Sequence, residues 1–345
     1  MSRMAPIRWS HLLLLAAFLS GCLPSSCKRS ESRDLFPQDS LSKAFAVSIP
    51  VDTLSVLDWI EVSDELKMEY PRTISYDTRN RMWVSDTELH TLIALGVDGS
   101  VEEQIDASGF QYPYIAGFRG DTVMVFSAGT SEIVMVVSGE AVVRIPVPDD
   151  APPRGVFRYA AADDAHIYVK VIADGFEGYI AEIAANGKVS GRWVLDGPYW
   201  QYAGMLRMWG DSLLSLSGFR PMIHLPTVHD SVQVMPLVGF DSPMLARTRL
   251  FALGDLDQPP MLSASAVAVG ELLFLLNMRP GWLRVDVYGH DGHLKNILTQ
   301  PSPEFNQDYY PSDIAVRRIS ETEYELAVSV IEPEPRIERY RWRQR

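Results

Sequence analysis

Pro71-Arg72-Thr73-Ile74-Ser75-Tyr76-Asp77, Met82-Trp83-Val84-Ser85-Asp86-Thr87 and Leu92-Ile93-Ala94-Leu95, closed by Asp98-Gly99, form one compact block of the 345-residue sequence. Each apolar run is short, rich in β-branched and aromatic residues, and bounded by turn formers. That is the pattern of strands in a meander, not of helices. The Asp98-Gly99 pair supplies the positive φ angles of a tight hairpin. Three further pairs, Ser138-Gly139, Asn186-Gly187 and Asp291-Gly292, sit between apolar runs in the same way. The glycines are 40, 48 and 105 residues apart, and the last interval fits two units. A period of about 40–50 residues in an all-strand chain predicts propeller blades of four strands.

A second series keeps the same phase. Strand-like runs centred near Trp83, Val125, Tyr168, Leu214, Phe274 and Leu326 are each preceded by small residues: Ser75, Ala116-Gly117, Ala160-Ala161-Ala162, Ala203-Gly204, Ser263-Ala264-Ser265-Ala266 and Ala315. Innermost strands of blades converge on a central axis, where bulky side chains collide. A β-sandwich gives no reason for small residues to hold this phase. The block at Pro71–Gly99 resembles the NHL-type repeat of six-bladed propellers. Pro311-Ser312-Asp313-Ile314-Ala315-Val316 and Arg336-Ile337-Glu338-Arg339-Tyr340 keep part of it. The middle units match in phase and hairpin position. The resemblance implies the TolB-like superfamily, and the expected fold is all-β, a six-bladed β-propeller. A seventh blade is the alternative, because 60 residues separate Leu214 from Phe274. The apolar stretch at 44–62 is expected to complete the last blade beside the C-terminal strand, which removes exposed sheet edges.

The N-terminus carries a different message. Arg3 and Arg8 precede an apolar run, Leu12-Leu13-Leu14-Leu15-Ala16-Ala17-Phe18, that ends in Leu19-Ser20-Gly21-Cys22. A basic region, a short apolar core and small residues at the cut describe a signal peptide over residues 1–21. Its end resembles the lipobox of bacterial lipoproteins, which implies cleavage before Cys22 and acylation of Cys22. Residues 22–45 are rich in serine and scattered charge and are expected to be a flexible tether. Residues 46–345 are then the propeller. Cys27, the other cysteine, is left without an intramolecular partner. It reads as a tolerated tether residue, with cross-linking to a partner as the alternative.

The whole chain has a formal net charge of −13, and losing Arg3 and Arg8 with the leader makes it −15. Such a chain repels nucleic acid, because it has no cationic surplus to neutralise phosphates. Membrane attachment is therefore expected through the N-terminal lipid, in the bacterial cell envelope and at the outer membrane.

Chemistry is harder to find. No nucleophile elbow, zinc-protease helix, phosphate-binding loop, dinucleotide fingerprint or EF-hand occurs, and no cofactor is expected. His224 with His229, and His290 with His293, lack a third ligand nearby in sequence. Asp149-Asp150, Asp163-Asp164 and Asp255 with Asp257 read as solvated turn acids. Glu69-Tyr70-Pro71 resembles the Glu-Gly-Pro of calcium-dependent gluconolactonase-type propellers, but tyrosine replaces the glycine. The aromatic signal is stronger. Loops leading into the inner strands hold Tyr70 and Arg72, Tyr112 and Tyr114, Arg158 and Tyr159, Tyr199, Trp200 and Tyr202, and Tyr309 and Tyr310. In a closed ring these loops gather at one mouth of the channel. Such rings serve either as a contact surface for a peptide, glycan or protein, or as wedges between blades. A non-catalytic binding protein is the expected function, with a metal-dependent lactonase or hydrolase at the same mouth as the alternative.

Overall fold

The structure, a computed structural model, describes residues 48–63, 65–106, 109–148, 155–227, 231–279 and 281–345. The leader, Cys22, Cys27 and the tether lie outside the described residues, as do Asp149, Asp150 and His229. Strands β1 (Val51–Thr53) and β2 (Ser55–Glu61) come first. A meander follows, made of β3 (Pro71–Tyr76), β4 (Met82–Asp86), β5 (Thr91–Leu95) and β6 (Val101–Ile105). The next two are β7 (Pro113–Arg119), β8 (Thr122–Ser127), β9 (Glu132–Val137) and β10 (Glu140–Pro146), then β11 (Val156–Ala162), β12 (Ile167–Ala173), β13 (Gly178–Ile183) and β14 (Val189–Leu195). These are followed by β15 (Leu206–Trp209), β16 (Ser212–Leu216), β17 (Met222–Pro226) and β18 (Val232–Pro236), and by β19 (Ser263–Val269), β20 (Leu272–Asn277), β21 (Arg284–Gly289) and β22 (Leu294–Thr299). The last sheet has β23 (Tyr310–Arg318), β24 (Glu323–Glu332) and β25 (Arg336–Arg343), with β2 as its fourth strand.

The chain is all-β and its arrangement is propeller-like. The apolar clusters lie between successive sheets. Trp83, Leu92 and Ala94 pack on Ile115, Val125 and Val134, and the pattern repeats along the chain. It returns on itself where Ile74, Val84 and Ile93 pack on Ala315, Ala327 and Ile337 of the last sheet. Second and third strands are covered on both faces, which explains why β4 and β5 are buried at every position. Each inner strand lies beside the next, and β23 lies beside β3. The small residues are there because the inner strands touch. A Cβ on Gly117 would stand 2.0 Å from the backbone oxygen of Ala162, where β7 and β11 share one parallel pair.

The ends close as the sequence predicts. β2 runs antiparallel to β25, with Val56 opposite Tyr340. β1 instead extends the neighbouring sheet, parallel to β22, with Val51 opposite Ile297. One short N-terminal segment thereby stitches two sheets. The interval that left room for a further blade holds β17 and β18, then helix α1 (Leu245–Leu253) and loops before β19. Its helical period escapes a sequence reading because only Leu245 and Thr248 are buried, too few to make an apolar stripe.

Candidate functional site

The segments leading into the inner strands surround a cavity of about 870 Å³. Its walls include Arg72, Tyr114, Arg158, Tyr159, Tyr199 and Trp200, drawn from successive sheets. A narrower recess below, about 80 Å³, is lined by Thr73, Ile115, Gly204, Arg207 and Ser263 together with Arg72 and Tyr159. The cavity belongs to the ring, because no single sheet contributes enough wall to form it.

Local chemistry fixes each wall residue. Asp86, fully buried at the end of β4, accepts the Glu69 and Tyr70 N–H groups at 2.7 and 2.8 Å through one oxygen. Its other oxygen accepts Glu88 and Leu89 N–H at 3.0 and 2.9 Å. This carboxylate holds the loop that delivers Arg72. Burial works against the Arg72 guanidinium, but the phenols of Tyr114, Tyr310 and Tyr70 and the Asp313 carboxylate hold its pKa above the ordinary value. Tyr159 receives a backbone hydrogen bond from Gly204, and burial pushes its phenol up to about 12. Behind Tyr159 the Lys170 ammonium lies 4.8 Å from the ring centroid. Its Nζ donates to Tyr202 O at 2.8 Å and Ser215 Oγ at 3.0 Å, and burial holds its pKa well below the usual lysine range.

The rim is aromatic. Phe157 stacks on Tyr199 with centroids 6.1 Å apart and planes 3° apart. Trp200 meets Phe251 of α1 edge to face at 5.0 Å. Tyr199 and Trp200 sit in a single 3-10 turn, Tyr199–Gln201, whose preceding Pro198 fixes the approach. Asp174 and Asp257 are exposed on the same wall.

Of the residues expected at the mouth, Arg72, Tyr114, Arg158, Tyr159, Tyr199 and Trp200 line the cavity. Tyr70 and Tyr310 stand close enough to Arg72 to act on its charge but do not form the cavity wall. Three expectations need correction. Tyr202 is buried, its hydroxyl donates to Asp196 O, and its ring lies 4.7 Å from His224, so it belongs to the core. Tyr309 is buried and donates to Glu338 at 2.8 Å. Tyr112 is exposed outside the cavity, its ring edge-on to His90 at 4.6 Å. Tyr309 precedes β23 and bonds inward to Glu338, whereas Tyr310, the first residue of β23, stands near Arg72, so the two rings do not share one surface.

Sequence reasoning missed Phe157, Phe219, Phe251 and Met261 on the wall. It also missed an ion pair across the channel. Arg207 Nη2 lies 2.7 Å from the buried Asp313 carboxylate. Asp313 also accepts Ile74 N–H at 2.9 Å, and accepts the Ser265 hydroxyl. One side chain thus joins four inner-strand segments.

The residues that would hold a calcium ion do not fit one. Glu69 is exposed, Asp86 spends both oxygens on backbone donors, and among the described residues no three His, Cys, Asp or Glu side chains gather. His224 is buried in the core, and His290 packs against Trp209 with centroids 4.6 Å apart.

No family model matches the chain, and no curated protein matches it. Solved structures do. A streptogramin B lyase is similar over 84% of this chain and 87% of its own, with 14% identity and a TM-score of 0.53. A calcium-binding protein, regucalcin, from Agrobacterium tumefaciens covers 86% and 97%, at 12% identity and a TM-score of 0.52. A member of the DUF4221 family from Bacteroides vulgatus covers 84% and 98%, at 10% identity and a TM-score of 0.53. At these identities the likeness concerns architecture, and it shows a β-propeller fold.

Proposed function

We propose that this chain is a lipid-anchored protein of the bacterial envelope, whose six-bladed propeller captures a ligand at its mouth by binding, without catalysis. The six blades are the meanders that begin at β3, β7, β11, β15, β19 and β23, the last completed by β2. One observation carries the reading: a cavity of about 870 Å³ formed jointly by lead-in segments of successive blades. Ligand pockets typically enclose ~300–1,000 Å³, are mostly apolar, and hold a few convergent polar groups. Here Phe157, Tyr199, Trp200 and Phe251 supply rigid apolar area, and Arg72, Arg158 and Tyr114 the polar contacts.

The test uses the full-length protein extracted in detergent and examined by native mass spectrometry for retained small molecules. Wild type is expected to carry a bound mass that Trp200→Ala releases, at a stability cost of only about 1 kcal/mol, because Trp200 is half-buried and not a core residue. A Trp200→Ala protein that retains the mass overturns the mouth as the site. The anchor is tested separately. Cys22→Ser should leave the membrane fraction, and an unacylated Cys22 in a membrane-free protein overturns that half of the reading.

A further inference from the structure

The cavity is not electrically uniform. Arg72 stands at its inner end, half-buried, and among the described residues it makes no ion pair and no hydrogen bond. The carboxylate that acts on it is Asp313, which is already committed to Arg207, Ser265 and the Ile74 N–H. Around Arg72 stand the phenols of Tyr70, Tyr114 and Tyr310, and none of these hydroxyls is hydrogen-bonded among the described residues. Burial raises the pKa of the Tyr70 phenol, and a phenol hydroxyl can donate a hydrogen bond. The opposing acids on the wall, Asp174 and Asp257, are exposed at the outer rim, where water screens them.

A guanidinium without an ion pair among the described residues, below a rim of aromatic rings, has a chemical complement. We infer that the ligand carries a carboxylate on a flat apolar body, the carboxylate held by Arg72 and the Tyr114 phenol and the body between Phe157, Tyr199, Trp200 and Phe251. The planar guanidinium matches the two oxygens of a carboxylate, and such charge-assisted pairs are the stronger hydrogen bonds. Aromatic faces at the rim take a flat body at little entropic cost. This inference rests on the mouth being the binding site and adds the class of ligand.

The probes are 2-naphthoate and its neutral isostere 2-naphthamide, titrated into the full-length protein in detergent and followed by tryptophan fluorescence. Naphthoate is expected to bind saturably and about tenfold or more tighter than naphthamide. Arg72→Gln should abolish that difference, and Arg72→Lys should restore only part of it because a lysine lacks the fork. Thermal melts of both variants check that the ring remains folded. Equal binding of the two probes, lost in Trp200→Ala, overturns the carboxylate and leaves the mouth standing. A naphthoate preference that survives Arg72→Gln overturns the role of Arg72. Saturable binding of neither probe takes both readings down.

Discussion

His224 should make this protein lose stability as pH falls below about 6.5, starting before most carboxylates titrate. The ring is 2% exposed, packed 4.7 Å from Tyr202, with no partner for Nδ1 among the described residues. Burial lowers its pKa from 6.5 to about 3, helped by the positive charges of Lys170 and Arg220, against a backbone hydrogen bond to Ser215. In the unfolded chain the same ring takes a proton below about 6.5. Between these values the unfolded state binds a proton that the folded state refuses, so folding loses stability as pH falls. The contribution is fully present above about pH 6.5 and gone near pH 3. At about 1.4 kcal/mol per pH unit it amounts to roughly 5 kcal/mol in all, and about 2 kcal/mol between pH 6.5 and 5. Urea unfolding of wild type and His224→Phe across pH 7 to 4 isolates this histidine, because the carboxylates titrate alike in both. The wild type is expected to lose about 2 kcal/mol more than the variant by pH 5. His224→Gln serves the same comparison if the larger ring does not settle. Parallel loss in all three proteins would refute the reasoning.

Asp313→Asn should cost about 3 kcal/mol, since it strips the counterion from Arg207 and weakens contacts to Ile74 and Ser265. A calorimetric melt lowered by about 6 °C is the expected reading for a domain of this size, and an unchanged melt sinks the idea that this carboxylate clasps the ring. Gly117→Ala should destabilise by about 2 kcal/mol or more, because its Cβ would meet Ala162 O at 2.0 Å, whereas Gly109→Ala, with its nearest contact at 3.9 Å, should be near neutral. Equal stability of the two alanine variants would mean that β7 and β11 part easily.

The periodic features were legible because the ring repeats them. Gly99, Gly139, Gly187 and Gly292 all sit at positive φ in the hairpin joining the third and fourth strands of their sheets. The last sheet lacks such a pair because its fourth strand is β2, which arrives from the other end of the chain. Thr73 and Asp313 occupy matching positions of the quoted repeats, and each binds the N–H of the next inner strand, at Ile115 and Ile74. That role left no mark on hydropathy. The assignment of rings to the mouth was partly legible. Tyr199, Trp200 and Tyr202 lie within one turn, and backbone direction alone sends the first two to the cavity and the third into the core. Phe251 escaped notice because its helix is too short to show a period.

The path of β1 shows on which side of the ring the chain enters. Each inner strand starts at the cavity and runs away from it, so outer strands such as β22 run back toward it. β1 lies parallel to β22, with Val51, Asp52 and Thr53 opposite Ile297, Leu298 and Thr299. The chain therefore joins the ring from the side opposite the cavity. With the lipid at Cys22 that we propose, the anchor is attached on the side away from the cavity, an arrangement that leaves the mouth free to open onto the aqueous compartment. In that arrangement the attachment of the chain does not obstruct the approach of a dissolved ligand to Arg72.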